Sequence, residues 1–155
     1  MISKRIYLDV CCLCRPFDDQ NVHRIRMETE AITEILKRCM TDWELVGSEA
    51  IESEIIEIAD EERRENVESV LQFAKSRVEV DDEVEAIARQ YHRYGLDPFD
   101  ALHLACAQCA GAIFLTTDDT LIKSIKKHKD KITTGVQNPV QWLMEVTMDG
   151  GKDVE

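Results

Sequence analysis

Gly95-Leu96-Asp97-Pro98-Phe99-Asp100-Ala101-Leu102-His103-Leu104-Ala105 reads as the start of a buried helix, and it decides what the remaining elements have to supply. Asp97 is a good N-cap, and Pro98 suits the first helical position, where a missing N–H costs nothing. The following residues are almost all apolar or small: Phe99, Ala101, Leu102, Leu104, Ala105, Ala107 and Ala110. A helix that is apolar on most sides is a buried helix. Asp100 nevertheless sits in its first turn, where the positive helix end favours the ionised carboxylate. A buried charge of that kind needs a counter-charge.

On the N-terminal side, residues 5–10 alternate, with Ile6, Leu8 and Val10 against Tyr7 and Asp9, and predict a strand with Asp9 at its carboxyl end. A loop at 15–19 leads into a helix over 21–40, where Val22, Ile25, Ile32, Ile35, Leu36 and Cys39 keep mostly helical spacing. Arg24 and Arg26 near its start are candidates for meeting phosphates, or plain helix-face arginines. A short strand over 43–47 and a helix over 48–58 follow. That helix carries the stripe Ile51, Ile55 and Ile58. Glu54 lies on or beside this inward face, whereas Glu49 and Glu52 look outward. An acid on an apolar stripe needs an explanation that surface acids do not.

Next come a charged helix over 61–75, a brief strand over 77–80 and a helix over 82–94 that stops at Gly95. Beyond the opening helix, residues 112–116 form a compact apolar strand, and Thr117-Asp118-Asp119 follows directly. Asp118 thus also stands at a strand's carboxyl end. A short helix with Leu121, Ile122 and Ile125 leads to a basic segment holding Lys123, Lys126, Lys127, His128, Lys129 and Lys131. A last strand is expected at 131–134. Asn138-Pro139 opens a final helix, and residues 148–155 read as a loose tail. Residues 1–147 are expected to be one domain. Strands alternating with helices argue for an α/β fold with a mainly parallel sheet.

At 155 residues the chain is long enough for one domain with a proper core. Its net charge of -12 is the wrong sign for passive attraction to nucleic acid. The six cysteines are not spaced as a disulfide framework, and no second CxxC or histidine pair completes a zinc site. Buried, inert thiols in a reducing cytoplasm are the expectation. There is no signal peptide and no stretch of membrane-spanning length.

Four acids therefore stand out for separate reasons: Asp9 and Asp118 at strand ends, Glu54 near a buried stripe, and Asp100 in a buried helix. Brought together, they would raise one another's pKa unless a cation joined them. Hard oxygen ligands select Mg²⁺ or Mn²⁺ over zinc. Such a site activates water and stabilises phosphoryl transition states.

The order Ile6-Tyr7-Leu8-Asp9, Ser48 with Glu54 six residues on, Asp97-Pro98-Phe99-Asp100-Ala101-Leu102-His103-Leu104-Ala105, Leu115-Thr116-Thr117-Asp118 and Asn138-Pro139 resembles the PIN-domain family over about residues 5–147. The resemblance implies a three-layer, Rossmann-like α/β fold with a five-stranded, mainly parallel sheet and acids at its carboxyl edge. It also implies a metal-dependent endoribonuclease acting on single-stranded RNA, most often the toxin of a VapBC-type toxin–antitoxin pair, and a homodimer. By motif position the metal-site acids are Asp9, Glu54, Asp100 and Asp118. One departure is Cys11, where the family usually has Ser, Thr or Asn. Asp118 and Asp119 are adjacent, and the sequence leaves open which points inward. His103, one turn from Asp100, reads as a packed, hydrogen-bonded core histidine rather than a catalytic base. The rival reading is an inactive PIN-like module that binds RNA or protein without cleaving. A haloacid-dehalogenase-type phosphatase would need an Asp at position 11.

Overall fold

Ile6, Tyr7 and Leu8 are all fully buried, so the first strand is covered on both faces. That is the signature of a central parallel strand. In the computed structural model, which describes residues 4–153, this strand is β1 (Arg5–Leu8). It is followed by the helices α1 (Val10–Cys14) and α2 (His23–Cys39), separated by a 3-10 turn over Arg15–Phe17. β2 (Glu44–Ser48), α3 (Glu49–Ile56), α4 (Glu61–Leu71) and β3 (Ser76–Val78) come next. Then follow α5 (Asp82–Arg93), α6 (Pro98–Ala110), β4 (Ile113–Leu115), α7 (Asp119–Lys126), β5 (Val136–Gln137) and α8 (Pro139–Asp153).

The sheet order is β3-β2-β1-β4-β5, and every neighbouring pair is parallel. The expected five-stranded α/β sheet is the one found. The chain winds outward through β2 and β3, then crosses to the other side of β1 for β4 and β5. This reversal makes the carboxyl ends of β1 and β4 the place where an open α/β sheet forms a crevice. Register is set by pairing Leu8 with Leu115, and Asp9 N–H extends it by donating to the Leu115 carbonyl at 2.9 Å.

The opening stretch folds as its residues dictate. Asp97 caps α6 by accepting from Phe99 N–H at 3.0 Å, with Pro98 just inside the helix. Gly111 ends it at φ 65°, a left-handed conformation that glycine adopts without strain. Between these caps His103, Leu104, Ala105, Cys106 and Ala107 are buried. Ser48 caps α3 by accepting from Ile51 N–H at 2.9 Å.

Three expectations need correction. The strand expected through residue 10 ends at Leu8; Asp9 accepts from Val10 N–H at 2.8 Å and starts a one-turn helix instead. The strand expected at 131–134 lies at Val136–Gln137. Ile132 is buried, but its N–H closes a turn onto the His128 carbonyl at 2.8 Å. The chain reaches β4 only at Gly135, where a Cβ would sit 2.6 Å from Ile113 Cδ1. The segment read as a loose tail is largely helical, because α8 continues to Asp153; propagation adds a hydrogen bond per residue once Trp142 and Leu143 have anchored the helix in the core. The rest of that segment, 154–155, lies outside the described residues.

All six cysteines are free thiols. Cys12, Cys39 and Cys106 are buried as expected, and burial pushes Cys39 and Cys106 up to about 11. Cys109 departs from the expectation: it lies on the exposed side of α6. Among the described residues no helix is long and apolar enough to cross a membrane.

Candidate metal centre

Asp9 begins α1 at the switch point, 7% exposed. Its Oδ1 accepts from Val10 N–H, and its Oδ2 accepts from the Thr116 hydroxyl at 2.8 Å. Cys11 Sγ lies 3.5 Å from the same oxygen and 3.4 Å from Thr116 Oγ1. The hydroxyl partner of the first acid therefore comes from the end of β4, next to the thiol at position 11. Burial pushes the Asp9 carboxyl above its usual range and Glu54 adds to this. The His103 imidazole and the Thr116 hydrogen bond pull the other way.

Glu54 projects from the last turn of α3, half-buried. Its Oε1 is 2.7 Å from His103 Nε2. His103 is wholly buried and its other nitrogen is 2.7 Å from the Tyr7 hydroxyl. It is thus the packed, hydrogen-bonded histidine expected from sequence, joined to one of the acids. Asp9, Glu54 and His103 each offer an atom of metal-ligand type, and these atoms lie within 4.8 Å of one another.

Asp100 is half-buried in the first turn of α6. Burial pushes it up to about 6, helped by the carboxylates of Asp9, Asp97 and Asp118. These acids therefore share one electrostatic neighbourhood. Asp118 caps α7, its Oδ1 accepting from Leu121 N–H at 3.1 Å. Its neighbour Asp119 is taken elsewhere: Arg24 grips it with two bonds, Nη1 to Oδ2 at 2.8 Å and Nη2 to Oδ1 at 2.9 Å. Of this adjacent pair, Asp118 is the one whose charge bears on Asp100.

Among the described residues, no Lys or Arg forms an ion pair with Asp9, Glu54, Asp100 or Asp118; the Glu54 partner is His103. Buried carboxylates that repel one another and have no fixed cation suit a divalent ion bound through oxygen. The donor set fits that group.

Arg24, a candidate phosphate contact, is instead committed to carboxylates. Besides Asp119 it binds Glu28 Oε2 at 3.1 Å, and Arg15 Nε holds Glu28 Oε1 at 2.7 Å. Asn138 donates to the same Glu28 at 2.8 Å. The basic segment divides. Lys123 and Lys126 line a cleft of ≈ 520 Å³ with His23 and Asn138, while Lys131 Nζ sits 5.2 Å above the Tyr94 ring.

The sequence gives no sign of Thr116 or Tyr7 as partners of the acids, since each meets its acid or histidine across the sheet. Ser48 was visible as the first residue of the helix expected over 48–58 and as part of the family motif, but its bond to Tyr7 at 2.6 Å was not.

The PIN domain family model matches residues 6–127. The chain belongs to the PIN-domain family. No curated protein matches it in sequence. Among solved structures, FitAcB from Neisseria gonorrhoeae superposes with a TM-score of 0.59 at 18% identity, covering 86% of this chain and 97% of that one. FitAB bound to an IR36 DNA fragment gives a TM-score of 0.58 at 19% identity, covering 87% and 95%. These likenesses are of fold. PIN domains are in general nucleases that need a divalent metal, and in this PIN domain Asp9 and Glu54 come together beside His103.

Proposed function

We propose that this PIN domain is an endoribonuclease that hydrolyses phosphodiester bonds in single-stranded RNA with Mg²⁺ or Mn²⁺, held by Asp9, Glu54, Asp100 and Asp118. The observation that carries the proposal is the unbalanced charge of the cluster: a buried Asp9 beside Glu54, and an Asp100 raised to about 6 by burial and by its acidic neighbours. A divalent ion bound there supplies positive charge, a more acidic water and stabilisation of the developing phosphoryl charge.

The chain's own residues set the stage for that chemistry. Thr116 and Cys11 hold Asp9 Oδ2 and the Val10 N–H holds Oδ1 in one orientation, and Oδ1 keeps a free lone pair. His103 occupies one Glu54 oxygen and leaves the other available. The first-turn position of Asp100 puts its charge at the positive end of α6. Asp118, fixed by its own capping bond, closes the acidic side from α7.

The family resemblance and the likeness to FitAB support a second level of the proposal: a cytoplasmic toxin that forms a homodimer and is restrained by an antitoxin protein. Cleavage of a fluorogenic single-stranded RNA should depend on added Mn²⁺ or Mg²⁺ and stop in EDTA. Equal cleavage in EDTA would overturn the enzymatic reading. Metal binding without cleavage would leave the inactive RNA- or protein-binding module as the better reading. Light scattering should exceed the monomer mass of 17.8 kDa, and a value at that mass would count against the dimer.

A further inference from the structure

Ser48, Tyr7 and His103 stand in a line behind Glu54, and together they do something no one of them does alone. Ile51 N–H donates to Ser48 Oγ at 2.9 Å. Ser48 Oγ is 2.6 Å from the Tyr7 hydroxyl, and that hydroxyl is 2.7 Å from His103 Nδ1. His103 Nε2 is 2.7 Å from Glu54 Oε1. Ser48, Tyr7 and His103 are all buried.

The direction of this chain follows from counting protons. A neutral imidazole has one N–H donor and one acceptor nitrogen. With the proton on Nδ1, a bare Nε2 would face a carboxylate oxygen at 2.7 Å, acceptor against acceptor. With the proton on Nε2, each contact has one donor: Ser48 O–H to Tyr7, Tyr7 O–H to His103 Nδ1, and His103 Nε2–H to Glu54. Ser48 keeps a lone pair for Ile51 N–H. An imidazolium, which would reverse the two bonds of Tyr7, also donates from Nε2, so the proton between His103 and Glu54 lies on Nε2 in either case.

We infer that Ser48, Tyr7 and His103 form a hydrogen-bond relay that fixes the orientation of Glu54, with His103 donating from Nε2. All three are positioning residues. His103 lies within reach of a shared ion with Asp9 and Glu54, but a protonated Nε2 has no lone pair for a metal. The histidine therefore aims a ligand and is not one. The consequence for metal affinity rests on the proposed function; the donation from Nε2 to Glu54 rests on the hydrogen bonds alone. Partners that orient ligating groups in this way typically change metal affinity about 10–100-fold.

The test uses the full chain with isotope-labelled histidine, read by nitrogen–proton correlation NMR in EDTA above the ordinary histidine titration range. The expected result is a His103 ring that carries a proton on Nε2, with Nδ1 shifted by the Tyr7 hydrogen bond. Tyr7→Phe keeps the ring and removes the hydroxyl. It should shift the Nδ1 resonance and weaken Mn²⁺ binding by calorimetry about tenfold, with the far-ultraviolet circular dichroism of the folded chain retained. A ring protonated on Nδ1 alone in the unaltered protein would overturn the relay. So would a folded Tyr7→Phe variant that binds Mn²⁺ within twofold of the unaltered protein. If the unaltered protein binds no Mn²⁺, the metal reading of the site fails, while the tautomer still decides the relay. If Tyr7→Phe does not fold, the tautomer of the unaltered protein again decides.

Discussion

Glu28 and Asp9 are both buried acids, 1% and 7% exposed, and their surroundings are opposite. Glu28 is held by Arg15, Arg24 and Asn138. The two arginines supply more positive charge than the carboxylate needs, and Arg24 passes the excess to Asp119. Asp9 has a hydroxyl, a thiol and a backbone N–H around it, with Glu54 and Asp100 for electrostatic neighbours. The first arrangement is closed: it ties α2 to the 3-10 turn and to the start of α8. The second is open, because its charge is left to be balanced from outside the chain. A buried acid with its counter-charge built in serves the fold; one without it is what the proposed metal centre needs.

This contrast is broken most severely by neutralising an open-cluster acid. Asp9→Asn keeps the capping and hydroxyl geometry but removes a charge, and Asp118→Asn does the same at α7. Each should lower Mn²⁺-dependent RNA cleavage by roughly 10³-fold or more, equivalent to about 4 kcal/mol of transition-state stabilisation, in single-turnover assays. Full activity in either would remove that acid from the centre.

The closed cluster predicts damage of another kind. Glu28→Ala removes the acid that joins Arg15, Arg24 and Asn138, and should destabilise the chain by about 3 kcal/mol in urea unfolding. A loss below about 1 kcal/mol would mean that Glu28 is not the keystone its contacts suggest.

A third effect separates the clusters by pH. The folded pKa of Asp100, about 6, lies above the ordinary value of 3.8. Between these values the native state binds more protons than the unfolded one, so stability falls as pH rises. The favourable contribution is complete below about 3.8, and it is lost as pH passes through about 6. In EDTA, thermal melts of the unaltered protein should therefore decline relative to Asp100→Asn across this window, and added Mn²⁺ should restore them. Parallel curves for the two proteins would show that burial and the neighbouring acids do not raise Asp100.

The smallest effects belong to the acids beside the centre. Asp119→Asn loosens an exposed pair with Arg24, and should cost about 0.2–1 kcal/mol. Asp97→Asn keeps an N-cap of equal quality and removes one of the charges raising Asp100. Both variants should retain cleavage within a few-fold. A dead Asp119→Asn or Asp97→Asn would shift the centre by one residue or one helical turn.

What the sequence made legible was local. Asp97-Pro98 and Gly111 bound α6 because capping and the left-handed stop act within a few residues. Asp9 and Asp118 were found because a strand's hydrophobic run stops just before each. The alternation read in β1 was less faithful: Tyr7 is as buried as Ile6 and Leu8, since a central parallel strand has no wet face. The last strand was misplaced because Ile132 and Thr134 mimic an alternating strand, whereas contact with β4 is licensed by Gly135 against Ile113. Arg24 looked like a free cation because its two acids, Glu28 and Asp119, lie 4 and 95 positions away. The first of these was an ordinary helix-face spacing, and the second has no local signature at all. Thr116 and Tyr7 were silent for the same reason.

Thr116 and Asp9 are 107 positions apart in the chain, and this has a consequence for translation. Synthesis delivers the amino end first, so β1 and Asp9 emerge early and Glu54 soon after. A nascent chain that stops short of α6 has neither Asp100 nor His103, and one that stops short of β4 has neither Thr116 nor Asp118. β1 meanwhile has β2 on one side and an unpaired edge on the other. The acid cluster is thus assembled from both ends of the growing polypeptide. Prematurely terminated products, however well their first strands pair, leave the ribosome without it.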